Sequence, residues 1–221
     1  MRRLALILPV LLAACAGPRA ARLASVAPET FGDRLASRAE TWLGEQGGFA
    51  VDGERYGADC SGFVQAVFAA EGLPLRRLAG RSAPRETSGA AALHRAARDF
   101  GVVFGGGGEW PRPGDLVFWH DTYDRDRDGR SDDRFTHVGI VQYVADGGTV
   151  VFIHRGSKGV VRGAMTPSRP GQAADGDLLL NSTLRAKAKA KPGAPVLAGE
   201  LFAGYGRIDP RRVPRDVARA R

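Results

Sequence analysis

Arg55-Tyr56-Gly57-Ala58-Asp59-Cys60-Ser61-Gly62-Phe63-Val64 is the stretch on which the fold turns. Phe63, Val64, Val67 and Phe68 recur at helical spacing, which predicts a buried helix from Cys60 to Ala70, stopped by Gly72-Leu73-Pro74. Asp59 stands where an N-cap belongs, so Cys60 takes the first helical position. The free amides and dipole of a helix start favour a thiolate there, and the neighbouring Asp59 carboxylate opposes it. A thiol so placed is a candidate nucleophile if the chain supplies a base.

On either side the pattern alternates between helix and strand. Leu35, Ala36, Ala39, Trp42 and Leu43 predict an amphipathic helix over 33–43, followed by a glycine-broken loop from Gly44 to Gly57. Ser88 to Phe100 predicts a second helix, with Ser88 as its cap. Pro113-Gly114-Asp115 is a turn leading into a buried strand, Leu116 to Trp119. Val138 to Val144 and Thr149 to Ile153 read as strands joined by the hairpin signal Ala145-Asp146-Gly147-Gly148, and Leu201 to Ile208 as a closing strand. With 221 residues, 43% of them hydrophobic, and 30 glycines, the chain suits one domain of mixed helix and sheet rather than a helical bundle. The glycine run 105–108 lacks the Lys-Ser/Thr of a phosphate loop, which excludes nucleotide binding there.

Residues 1–14 combine a basic start with an apolar run too short to span a bilayer, and Leu12-Ala13-Ala14-Cys15 resembles the signal of bacterial lipoproteins. The resemblance implies cleavage before Cys15, a lipid on its sulfur, and a mature protein anchored to a membrane of the bacterial cell envelope, facing the periplasm or exterior. The alternative is an ordinary signal peptide that contains a cysteine. With Cys15 as anchor, Cys60 has no disulfide partner. Residues 15–30 read as a tether. The net charge of +8 is compatible with nucleic acid or with an anionic cell envelope. No basic helix, zinc finger or aromatic-interleaved RNA motif accompanies it, so no nucleic-acid partner is expected. Residues 166–199, which include Arg185-Ala-Lys-Ala-Lys-Ala-Lys191, read as a mobile Lys/Pro/Gly-rich insertion, and 209–221 as a solvated basic tail.

Of four histidines, His94 reads as exposed on a surface helix, and His120 as either structural or pocket-lining. His137 and His154 are related by the hairpin. If Ala145 pairs with Gly148, His154 faces Gly139 and His137 lies on the same face, so the rings are diagonal neighbours roughly 7–8 Å apart at the backbone. A slip of one residue places them on opposite faces. Cys60, His137 and His154 then form a nucleophile, base and orienter set. Zinc ligation by the same three residues is an alternative without a supporting Cys-x-x-Cys or His-Glu-x-x-His, and a buried cysteine with two satisfied histidines is another.

Asp59-Cys60-Ser61-Gly62-Phe63-Val64, Pro113 to Trp119, His137-Val138-Gly139-Ile140-Val141 and Phe152-Ile153-His154, in that order, resemble the motifs of the NlpC-type cell-wall cysteine peptidases. The resemblance covers about residues 33–208, within a catalytic domain taken as 31–208. It implies a papain-like α+β fold, with a helix carrying the cysteine packed on an antiparallel sheet carrying the histidines. It further implies hydrolysis of amide bonds in peptidoglycan stem peptides with no cofactor needed for catalysis. By position, Cys60 is the nucleophile, His137 the base and His154 the third polar residue; Tyr56, Asp59 and Ser61 bind substrate, with helix capping an equal role for Asp59. A monomer is expected. The related CHAP amidases are a near alternative, although the Asp-Cys-Ser-Gly-Phe wording favours the NlpC side. An acyltransferase on the same thioester and a catalytically silent envelope-binding module are the others.

Two insertions depart from the family pattern, the lysine-rich 166–199 and the Asp-rich 121–134. Asp124, Asp126, Asp128, Gly129 and Asp132 have the spacing of a calcium loop of the EF-hand type, with Phe135 where the twelfth-position Glu belongs and Asp133 as a partial substitute. A structural Ca2+ is one reading, and a solvated acidic loop balanced by Arg125, Arg127, Arg130 and Arg134 the other.

Overall fold

A computed structural model of the protein describes residues 29–86, 88–105, 107–185 and 190–219; the export signal, Cys15, most of the tether and residues 186–189 of the lysine-rich run lie outside the described residues. Helix α1 (Phe31–Thr41) is closed by a capping box between Thr30 and Asp33. A short hairpin follows, β1 (Phe49–Val51) and β2 (Glu54–Tyr56), where the sequence suggests only loop. Helix α2 (Cys60–Ala70) has the expected bounds and the expected cap, with the Asp59 carboxylate accepting from the Gly62 amide. Helices α3 (Leu75–Ser82) and α4 (Gly89–Phe100) complete the helical side, and Ser88 caps α4 through the Ala91 amide.

The strands are β3 (Gly101–Phe104), β4 (Leu116–Trp119), β5 (His137–Val144), β6 (Val150–Gly156), β7 (Gly159–Met165) and, after the small hairpin β8 (Ala174–Asp175) and β9 (Leu178–Leu179), β10 (Phe202–Ile208). Six of them form an antiparallel sheet in the order β3-β10-β4-β5-β6-β7. Every residue of β4 is buried, because both faces of the sheet are covered. On one face Phe118, Val138, Ile140 and Ile153 meet Phe63, Val64 and Val67 of α2, all fully buried. On the other face Val117, Trp119, Val141, Phe152 and Tyr205 pack against Ala198 and Leu201 of the 166–199 insertion and its edge. The antiparallel sheet with the cysteine-bearing helix on one face is compatible with a papain-like α+β fold.

Two expectations are corrected here. The described part of the insertion is packed rather than mobile: Leu180, Asn181 and Leu197 are buried, the Ala198 carbonyl accepts from the Trp119 indole at 3.0 Å, and the Asn181 amide ties Arg169 and Gln172 carbonyls at 2.8 Å. Trp119 and Phe152 on the far face of the sheet need such a cover. The tail is likewise docked. The Asp209 amide reaches the Phe100 carbonyl at 3.0 Å, Arg212 caps the end of α4 through the Asp99 and Gly101 carbonyls, and Val217 of α5 (Arg215–Arg219) is buried in the main core. No helix among the described residues is long and apolar enough to cross a membrane.

Candidate active site

The hairpin places the histidines by two offsetting one-residue effects. The turn closes with Ala145 N–H on the Thr149 carbonyl at 2.8 Å, one residue beyond the expected pairing with Gly148. The ladder then shifts between Val141 and Tyr143, leaving Gln142 as an extra residue, so that Ile140 faces Ile153 and Val141 faces Phe152. At the histidines the register is therefore the expected one. A Cβ added to Gly139 would lie 3.0 Å from the Ile153 carbonyl oxygen and 3.3 Å from the His154 Cβ, so glycine there makes room for the imidazole. The two rings meet at an interplanar angle of 84°, with His137 Nε2 2.7 Å from His154 Nδ1. If His137 Nε2–H is the donor, His137 Nδ1 keeps its lone pair free to accept a proton and His154 carries its own proton on Nε2.

Cys60 lines the same cleft as this pair. The first four amides of a helix have no partner within it. In α2 the Asp59 side chain takes the Gly62 amide at 2.7 Å and the Asp59 carbonyl takes that of Phe63 at 3.0 Å. The amides of Cys60 and Ser61 remain, and both act on the sulfur together with the amide of Val138, the residue after His137. The thiol thus feels amides from the helix start on one side and from the start of β5 on the other. Glycine is required at position 62 where α2 meets the loop before it, since a Cβ there would overlap the Gly57 carbonyl.

Burial, and then the Asp59 carboxylate, push the Cys60 thiol up to about 11 against the pull of those amides. Burial, then the neighbouring His154, hold His137 well below 6.5, and burial holds His154 at about 4. At neutral pH this setting favours a thiol beside neutral imidazoles. Alkylation of Cys60 by iodoacetamide should accordingly keep rising with pH toward about 11. A thiolate plateau reached by about pH 7 would instead show a preformed ion pair.

Cys60, His137 and His154 line one cleft of about 1160 Å³ together with Asp59 and Ser61. Ser61 Oγ donates to Asp59 Oδ1 at 2.8 Å, so the Asp59 oxygen that caps the helix also holds the serine. Tyr56 is not brought to the cleft. Its ring is 6% exposed and lies under the Arg76 guanidinium at 4.0 Å, and its hydroxyl donates to Glu54 at 2.9 Å. Glu54 stands two residues back on β2 and shares its face, which is why it captures the hydroxyl. Burial, then that bond, push the phenol up to about 12.

The cleft includes residues that sequence reasoning did not single out. Tyr123 stands half-exposed at the mouth, its phenol raised by burial and then by the Cys60 charge. Thr122 and Thr136 clamp the base of the acidic loop, with hydroxyls 2.9 Å apart. His94 is not exposed as expected. It stacks on Phe135 at 3.9 Å, and burial lowers it to about 4. His120 is structural, its Nδ1 accepting the Phe135 amide at 2.9 Å. These two rings fix Phe135, which has a positive φ of 50°, two residues before His137.

In the acidic loop, Asp124, Asp126 and Asp128 bring carboxylate oxygens within 4.8 Å of one another. Asp132 is outside that group. Asp133 is turned inward, 3% exposed, and accepts the Arg125 amide at 2.7 Å, and Phe135 is held by the two histidines. The Asp124, Asp126 and Asp128 side chains accept from the Gly129, Asp128 and Arg130 amides, at 2.9, 3.2 and 2.7 Å. Of the four carboxylates in the spacing, these three lie together.

No curated protein matches the chain. The family model that matches is the alternative named from sequence, not the NlpC type that the Asp59 to Val64 wording favours; it spans β1 to the end of β6 and so contains Cys60, His137 and His154. Residues 49–156 match the CHAP domain, a cysteine/histidine-dependent amidohydrolase/peptidase of the NlpC/papain-like superfamily.

Proposed function

We propose that the protein is a lipid-anchored, cysteine-type hydrolase of amide bonds in peptidoglycan stem peptides. The observation that carries this reading is the convergence in one cleft of Cys60 at a helix start and the His137–His154 pair at 2.7 Å. The CHAP match supports wall peptidoglycan as the polymer, and it covers amidase as well as peptidase activity.

In this mechanism Cys60 Sγ attacks the amide carbon while its proton passes to His137 Nδ1. The oxyanion forms beside the free amides of the first turn of α2. The C–N bond breaks, His137 protonates the departing amine, and the acyl group remains on sulfur as a thioester. Water then attacks the thioester with His137 as base, releasing the acid and restoring the thiol. His154 keeps His137 in the tautomer both steps need. Anchoring through Cys15 would hold the cleft within the envelope beside its substrate. Digestion of purified muropeptides followed by mass spectrometry tests the reading. A stem-peptide amide cut is expected, and the fragment mass names the bond; unchanged muropeptides would refute it.

A further inference from the structure

Arg185 is 7% exposed and lines the catalytic cleft. A buried guanidinium is ordinarily paired, because desolvating an unpaired charge is costly. Every Asp and Glu of the chain lies among the described residues, and none is within 4.0 Å of Arg185 in an ion pair. Among the described residues its side chain makes one hydrogen bond, to the neutral Ser131 hydroxyl at 3.2 Å, which occupies little of its donor fork. The backbone that carries it is fixed: the Arg185 and Leu184 amides both reach the Val196 carbonyl, and Thr183 bridges to Leu197.

The other cations at the cleft differ. Arg125 is paired with Asp133 at 3.4 Å, Arg162 with Glu40, and Arg155 is turned to the Gln46 and Gly156 carbonyls. Arg127 and Lys158 are exposed and solvated. Two acids line the same cleft: Asp59 is engaged with Gly62 and Ser61, and Asp124 with the Gly129 amide. Arg185 also lies outside the CHAP match, on the insertion that covers the sheet.

We infer that Arg185 is the receptor for a carboxylate of the substrate, so that the enzyme selects an acidic peptide carrying a free carboxylate near the scissile amide. The guanidinium fork matches a carboxylate in two parallel hydrogen bonds, and a dry wall strengthens the pairing. The inference rests on the proposed hydrolase reading for its substrate class, but its binding chemistry is separable from cleavage.

The test uses Cys60→Ala protein, which binds without turnover, and stem peptides in which each carboxylate in turn is free or amidated. Calorimetry should show one free carboxylate strengthening binding by roughly 10- to 100-fold over its amide. Arg185→Gln should remove that preference, and Arg185→Lys should restore it only in part. In the protein with Cys60 intact, Arg185→Gln should raise KM for the free peptide and leave KM for the amidated one unchanged. Equal binding of free and amidated peptides, no binding of either, or a preference that survives Arg185→Gln would overturn the inference. A change confined to thermal stability would do the same, showing that Arg185 only braces the Asp124 loop. Should Arg185→Gln fail to fold, the comparison of free with amidated peptide at unaltered Arg185 decides. Carboxylate preference without cleavage by the intact enzyme would remove the hydrolase reading and leave the receptor standing; cleavage of free and amidated peptides alike would do the reverse.

Discussion

Replacing His137 by alanine should lower kcat for amide cleavage by roughly 10²- to 10⁴-fold, the usual contribution of a positioned general base. The substitution removes the group that faces the His154 ring at 2.7 Å and belongs to the strand whose next amide acts on the Cys60 sulfur. It also leaves His154 Nδ1 buried without its partner, a loss of about 1–3 kcal/mol that the fold should survive. Circular dichroism and thermal unfolding check the fold, and steady-state kinetics check the rate. The pH profile adds a second readout. His137 must be neutral to accept the thiol proton, so activity is lost as pH falls through its pKa. Burial and the neighbouring His154 hold that pKa well below 6.5, so kcat/KM should be flat through 6.5 and fall only at lower pH. An acid limb centred at or above 6.5 would show that His137 is not the base in this environment.

Arg207→Met should destabilise the protein by about 3–5 kcal/mol, the effect of stranding a buried charge. Asp115 is 2% exposed, and Arg207 grips it with Nε and Nη2, both at 2.7 Å. Without the guanidinium the carboxylate retains the Arg112 amide at 2.8 Å and little else among the described residues. Arg207 in turn is held in its charged form, first by the Asp115 hydrogen bonds. The pair ties the turn before β4 to β10, and β4 is the strand against which His137 is registered through Trp119. A chain of this size should lose about 10 °C or more in unfolding temperature. Asp115→Asn combined with Arg207→Met should lose less than the sum of the two single changes, because each leaves the other group unpaired. A loss below about 1 kcal/mol for Arg207→Met would place the pair among surface ion pairs of small effect.

Both results depend on how the chain builds its site, and that was only partly legible in the sequence. Helix α2 was readable because its apolar period, its Asp59 cap and the glycine-proline stop all agree. The histidine pair was readable because a Gly-Gly turn between two apolar runs sets a register, although the turn is one residue longer than expected and the shift at Gln142 absorbs the difference. Nothing local announces that shift, since a bulge depends on how the whole ladder fits. Tyr56 shows the limit of reasoning by position: its hydroxyl is claimed by Glu54 on the same face of β2 and its ring by Arg76, a residue twenty positions on. The role of the 166–199 insertion was hidden by composition. Its Pro, Gly and Lys content reads as solvated, while Leu180, Leu197 and Ala198 are buried together with the polar Asn181. The tail was misread for the same reason, its arginines masking the one buried valine, Val217.

The central claim is that Cys60 is the nucleophile of an amide hydrolase acting on stem peptides. It is tested most directly by incubating the protein and its Cys60→Ala variant with the same purified muropeptides, quenching in acid, and measuring both the peptide products and the intact protein mass. Cleaved stem peptide and an acyl adduct are expected with the unaltered protein, the adduct released by hydroxylamine as a thioester would be, with neither product nor adduct for Cys60→Ala. Equal cleavage by both proteins would contradict it.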